Sequence, residues 1–167
     1  MNEFFRQMGN FSILILTIGI PGSGKTTWVE RYKKNHPLTH VIATDDIRVE
    51  LFGTRVCDPK DSPFVHEEAR RRVKALIDNP GEEEQKGIGP EIIVDSTNVE
   101  STEWLKYKEL GPSLIFAKVF DVAPEQAWKQ QADRKEAEIV PFEVLQMKWD
   151  QYQTNKKYLK HIFNMII

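Results

Sequence analysis

The ten residues GIPGSGKTTW, Gly19 to Trp28, follow directly on the apolar run from Phe11 to Ile18 and constrain this chain more than any other stretch. Gly19, Gly24, Lys25 and Thr26 satisfy the spacing G-x-x-x-x-G-K-[ST]. Ile13 to Ile18 is a continuous branched-aliphatic run, the pattern of a strand buried on both faces. Residues 25–34 read as a helix. A buried strand that runs through glycines into a helix lets backbone N–H groups curl inward, and the helix adds the positive end of its dipole. That combination cradles phosphate. The plain alternative is a strand-to-helix turn with an incidental lysine, and the flanking pattern favours the cradle. Gly22, Ser23, Gly24, Lys25, Thr26 and Thr27 then form the nucleotide-binding set. Lys25 would reach the β- and γ-phosphates of a nucleoside triphosphate, and the Thr26 hydroxyl would hold Mg²⁺.

The rest of the chain alternates in the same way. Strands are predicted over 40–43, 92–94 and 114–119, and helices over 46–52, 63–78, 102–110, 125–134 and 142–159. In the 63–78 helix Val65, Ala69, Val73, Leu76 and Ile77 share one face. In the last helix Phe142, Leu145, Trp149 and Tyr152 form the buried stripe. Residues 53–62 and 79–90 read as loops, and residues 1–10 as a flexible leader before a single domain over 11–167. Strands alternating with helices imply an α/β fold, a parallel sheet wound on both faces, here with a short lid.

A chain of 167 residues supports one domain with a full core. The net charge of −2 argues against indiscriminate coating of nucleic acid, though not against a local basic groove. Cys57 is the one cysteine, so no internal disulfide or cysteine metal cluster is expected. The run before Gly19 is too short to cross a bilayer, and the chain is read as intracellular, with no membrane partner. His36, His40, His66 and His161 show no metal-ligand spacing; surface or core positions are the default for each.

In an open parallel sheet, ligands lie beyond the carboxyl ends of the strands. The first strand ends in the glycine loop, the second in Asp45-Asp46, the third in Asp95 and the fourth in Asp121. Asp45 alone reads as a helix cap; beside a nucleotide loop it becomes a candidate base for an attacking hydroxyl. Arg48, three residues on, shares its helical face and can orient that carboxylate or grip an acceptor phosphate. Asp95 supports Mg²⁺ or caps the next helix, and Asp121 is as readily structural. The run Arg70-Arg71-Arg72 either tracks a nucleic-acid backbone or lines a solvated helix face. Switch GTPases carry N/T-K-x-D and D-x-x-G; here the chain reads Asn155-Lys156-Lys157-Tyr158 and Asp95-Ser96-Thr97-Asn98 instead.

ILTIGIPGSGKTTW, TDDIR, IIVDSTN, KVFDV and VPFEVLQMKWDQY, in this order and spacing, resemble the 5′-hydroxyl polynucleotide kinase family, in the form of the kinase domain found in T-even bacteriophages. The resemblance spans roughly Ile13 to Tyr158. It implies an adenylate-kinase-like P-loop fold and an ATP- and Mg²⁺-dependent enzyme that phosphorylates 5′-hydroxyl ends of DNA or RNA. It also implies that Asp45 is the general base, that Arg48 contacts the acceptor, and that Asp95 is the aspartate after the third strand.

Two departures stand out. The family's lid usually carries two arginines four residues apart before a Val-Pro pair, here Val140-Pro141. Arg134 supplies one, with Lys135 competing for the position, while Gln130 or Gln131 stands where the other would fall. No D-x-D-G-T phosphatase motif and no K-x-D-G ligase motif occurs, so neither 3′-phosphatase nor ligase activity is expected. The competing readings are a kinase for another hydroxyl (a hydroxymethylated base, a nucleoside or a small metabolite) and a nucleotide-binding switch.

Overall fold

The computed structural model describes residues 11–81, 89–132 and 134–167. In chain order the elements are β1 (Ile13–Ile18), α1 (Lys25–Asn35), β2 (His40–Ala43), α2 (Thr44–Phe52), α3 (Ser62–Asp78), β3 (Glu91–Asp95) and α4 (Ser101–Lys108). There follow β4 (Leu114–Val119), α5 (Pro124–Lys129), α6 (Phe142–Asn155), α7 (Leu159–Ile162) and β5 (Met165–Ile166), with single 3₁₀ turns at Glu136–Glu138 and Lys156–Tyr158.

The five strands form one parallel sheet in the order β2-β3-β1-β4-β5. β1 lies at its centre, and its alternating side chains enter two different cores. Leu14, Leu16 and Ile18 face the larger one, packed with Val65, Ala69 and Val73 of α3, Trp104 and Tyr107 of α4, and Tyr152 of α6. Ile15, with Ile93 of β3, packs on the other face against Val29 and Trp28 of α1. A third cluster, Ile20, Ala127 and Leu145, seats the glycine loop on α5 and α6. Apolar burial on both faces is what a continuous aliphatic run requires. It also fixes the height at which each strand delivers its last residue.

Three expectations change. The helix predicted over 125–134 stops at Lys129, so Arg134 and Lys135 lie on irregular chain rather than on a helix. The helix predicted over 142–159 breaks at Asn155 into a 3₁₀ turn and the short α7. β5 was not expected; Ile167 N–H donates to the Ala117 carbonyl and Asn164 N–H to that of Ile115, extending the sheet past β4. In α3 the expected shared face is seen: Val65, Ala69 and Val73 are buried, and the half-buried Leu76 and Ile77 pack against the same core. The leader at 1–10 and residues 82–88 of the expected loop lie outside the described residues.

Candidate active site

The glycine loop leaves β1 and enters α1 through Gly24, whose φ of 91° lies in the left-handed region. Nothing lies within 4 Å of a Cβ built there, so the backbone conformation alone demands glycine. Gly22 is constrained twice: its φ is 82°, and a Cβ would fall 2.5 Å from the Ala127 carbonyl oxygen. The first turn of α1 has no acidic residue and no side-chain cap. Its free N–H groups and dipole therefore face the loop without an internal anion.

Lys25 is buried, and its Nζ donates to the Ile20 carbonyl at 2.8 Å and to Ser23 Oγ at 3.4 Å. Burial pulls its pKa down to about 8; the nearby Asp95 and Asp45 carboxylates oppose that shift, and Arg134 adds to it. Asp45 of α2, Asp95 of β3 and Arg134 of the chain after α5 are thus each within electrostatic reach of Lys25.

Asp95 is the last residue of β3, at its carboxyl end. One of its carboxylate oxygens accepts from Thr26 Oγ1 at 2.8 Å, and the other lies 3.5 Å from Thr17 Oγ1. Burial raises its pKa, outweighing the bond from Thr26 and the charge of Lys25. It does not cap a helix, because α4 starts after Glu100. A hydroxyl and a desolvated carboxylate converging on one point are hard oxygen donors of the kind Mg²⁺ takes. The residues fit the ion. Among the described residues no group of three or more His, Cys, Asp or Glu forms a metal cage.

Thr17 is the polar exception in β1. Its hydroxyl bonds the Ser96 carbonyl at 2.9 Å and accepts from Ser96 N–H at 3.2 Å. Asn98, at a left-handed φ of 43°, donates to the Thr17 carbonyl at 3.0 Å, and Gly19 N–H donates to the Thr97 carbonyl at 3.0 Å. These bonds stitch the end of β3 to the start of the loop and hold Asp95 beside Thr26. The hydroxyl of Thr17, set among aliphatic residues, was the available signal in the sequence.

Asp45 sits in the first turn of α2, where the N-cap is Ala43 and no side chain caps the helix. The cap reading of Asp45 is therefore corrected. Its carboxylate is exposed and accepts from Arg48 NH1 at 2.6 Å, while Arg48 itself is buried. Arg48 Nε is sealed from solvent with no hydrogen-bond partner, as is Nδ1 of the half-buried His66 on α3. Burial lowers the His66 pKa, aided by the cations Arg70, Arg48 and Lys148 and opposed by Glu103. Sequence reasoning had left His66 as a default core or surface residue.

The arginine run does not form a basic track. Arg70 pairs with Glu103 at 2.7 Å, Arg71 with Glu68 at 2.6 Å, and Arg72 with both Glu68 and Glu50. Asp121, the carboxylate after β4, is exposed, and its charge acts on Tyr152 of α6. Arg134 and Lys135 are both exposed, and of the two only Arg134 is felt by Lys25. Gln131, at the position read as a missing arginine, is buried. Thr27 is exposed on α1 beside Thr26. No described helix is long and apolar enough to cross a membrane.

A family model described as an AAA domain matches residues 14–158. Human NEDD4-binding protein 2 is 30% identical over 117 residues, which are 70% of this chain and 6% of that protein. A chain of the Pnkp1/Rnl/Hen1 RNA repair complex superposes with a TM-score of 0.73 at 24% identity, covering 88% of this chain and 46% of that one. Deoxyadenosine kinase from M. mycoides, with bound dATP, gives a TM-score of 0.53 at 16% identity, covering 92% and 89% of the two chains. A gluconokinase from Sinorhizobium meliloti 1021 gives 0.53 at 16%, covering 85% and 74%. The fold is that of P-loop kinases. The chain spans a small fraction of the curated relative and under half of the RNA repair chain.

Proposed function

The chain belongs to the AAA-domain family, and from that premise we propose that it is an ATP- and Mg²⁺-dependent kinase that transfers the γ-phosphate to the 5′-hydroxyl of a DNA or RNA end. One observation carries the reading: the exposed Asp45 carboxylate, held by the buried Arg48, stands within electrostatic reach of the loop lysine. A switch protein has no use for a carboxylate fixed there; a kinase needs one to receive the acceptor proton. The motif order and the likeness to a chain of an RNA repair complex support a polynucleotide as the acceptor.

In this reading the N–H groups of Gly22 to Thr27 and the start of α1 bind the phosphates of ATP. Lys25 leaves its loop carbonyl and neutralises the oxygens that gain charge during transfer. Thr26 and Asp95 hold Mg²⁺, which shields the phosphate oxygens when bound. Asp45 takes the proton of the 5′-hydroxyl as its oxygen attacks phosphorus and ADP departs. Arg48 keeps the Asp45 carboxylate turned toward the acceptor. Arg134 contributes a guanidinium from the chain after α5.

The glutamate pairing of Arg70, Arg71 and Arg72 favours a second reading, a kinase for a nucleoside or metabolite hydroxyl, because no free arginine track lines α3. Incubation with γ-labelled ATP and a panel of single-stranded DNA, RNA, modified duplex DNA, nucleosides and sugars separates the two. Labelling of oligonucleotides carrying a 5′-hydroxyl, and not of those already 5′-phosphorylated, is expected. Labelling confined to nucleosides or metabolites moves the assignment to the second reading.

A further inference from the structure

Gln131 is almost completely buried, at 1% exposure, while Gln130, Arg134 and Lys135 beside it are exposed. Its side-chain amide makes a two-point bond across nine residues: Oε1 accepts from Val140 N–H at 3.0 Å, and Nε2 donates to the Val140 carbonyl at 3.3 Å. Its backbone carbonyl accepts the Arg134 N–H at 2.9 Å, and Arg134 NH1 lies 3.5 Å from Oε1. On the opposite side its Cγ would lie 3.1 Å from a Cβ on Gly22, so its stem packs directly over the glycine loop. One residue therefore links the phosphate cradle, the start of the arginine's turn and Val140, just before α6.

A buried amide with both its donor and its acceptor satisfied by one backbone residue has little freedom left. α5 ends at Lys129, and Gln131 faces inward rather than continuing the helix toward solvent. Among the described residues the exposed Arg134 makes one weak side-chain contact, to Gln131 itself, so Gln131 bears on its placement.

We propose that Gln131 is a positioning residue: by clasping Val140 and packing on Gly22, it holds Arg134 at the distance from Lys25 where its guanidinium serves phosphoryl transfer. Gln131 touches neither nucleotide nor acceptor and acts only through Arg134. The proposal rests on the nucleotide-handling half of the function above and not on the identity of the acceptor.

A double-mutant cycle tests it, because residues that act through one another are strongly non-additive. Gln131→Ala, Arg134→Ala and the double variant are compared in transfer to the labelled acceptor and in acceptor-independent ATP hydrolysis, with Mg·ATP affinity and thermal midpoint recorded alongside. Gln131→Ala is expected to lower kcat about tenfold and Arg134→Ala about a hundredfold, while the double variant is no slower than Arg134→Ala. Gln131→Met fills the space over Gly22 without the bonds to Val140; it is expected to be as slow as Gln131→Ala, and it supplies the comparison if the alanine variant does not fold. Multiplied losses in the double variant, wild-type turnover for Gln131→Ala, or full rescue by Gln131→Met would each overturn the proposal. If no 5′-hydroxyl end is labelled, the polynucleotide reading falls, and non-additivity in hydrolysis still upholds Gln131. Additivity there overturns it whatever the acceptor.

Discussion

Replacing Lys25 by methionine should make the protein more stable and nearly inactive. The ammonium is buried beside the loop, with a neutral carbonyl and a hydroxyl as its direct partners. Burial lowers its pKa from 10.5 to about 8. At 1.36 kcal/mol per pH unit, that displacement corresponds to about 3 kcal/mol of destabilisation while the amine is charged. The sign follows from proton counting. Between about pH 8 and 10.5 the unfolded chain still binds the proton that the folded chain has released, so wild-type stability rises with pH across that window. Below about pH 8 the whole penalty is present. Methionine keeps the aliphatic stem and removes the charge. Lys25→Met is therefore expected to be about 1–3 kcal/mol more stable than wild type at pH 7, with the gap closing above about pH 10. The tyrosines whose pKa values burial raises, Tyr32, Tyr107 and Tyr152, titrate in both proteins and cancel in the difference. Urea unfolding of both proteins at pH 7 and pH 10 gives the two gaps. Transfer should fall about a thousandfold, because the charge that costs stability is the one that neutralises the transferring phosphoryl group. A variant less stable than wild type at pH 7, or a gap independent of pH, refutes the account of a desolvated lysine. Retention of more than about a tenth of the turnover refutes its role in transfer.

Because ATP phosphates restore the charge on Lys25, binding of Mg·ATP at pH 8.5 should take up part of a proton per nucleotide, measured by calorimetry in buffers of differing ionisation enthalpy; proton release would contradict this. Asp45→Asn should cut turnover about a hundredfold and change Mg·ATP affinity little, since the amide cannot receive the hydroxyl proton; surviving turnover would assign the base elsewhere. Arg134→Ala should be more damaging than Lys135→Ala, because a guanidinium offers a planar pair of donors that an ammonium lacks. Equal, small effects would move the lid contact to another residue.

Much of the site was legible because its parts lie where sequence patterns are strongest. A buried strand is a run rich in β-branched and leucine residues, so Ile13 to Ile18 and Leu114 to Val119 announced themselves despite Thr17 and Lys118, and the residues at the strand ends followed. Gly22 and Gly24 were legible because only glycine tolerates their φ values. β5 was not, because a two-residue strand has no periodicity to read and Met165 and Ile166 are exposed. The end of α5 was hidden for a different reason. Gln131 and Ala132 are acceptable helix residues, and what diverts the chain is the bond between Gln131 and Val140, nine positions away. The partners of the arginine run on α3 were hidden in the same manner. Glu50 and Glu103, which neutralise two of its members, are remote in sequence and adjacent only in the fold.

The central claim is that phosphate goes to a 5′-hydroxyl of a polynucleotide. Its most direct test maps the label after incubation of wild-type protein, Mg²⁺ and γ-labelled ATP with an oligonucleotide carrying a free 5′-hydroxyl. After complete digestion to mononucleotides, the account predicts that all transferred label is recovered as the 5′-monophosphate of the first nucleotide. Label recovered at a base or a 3′ position, or only as inorganic phosphate, would contradict it.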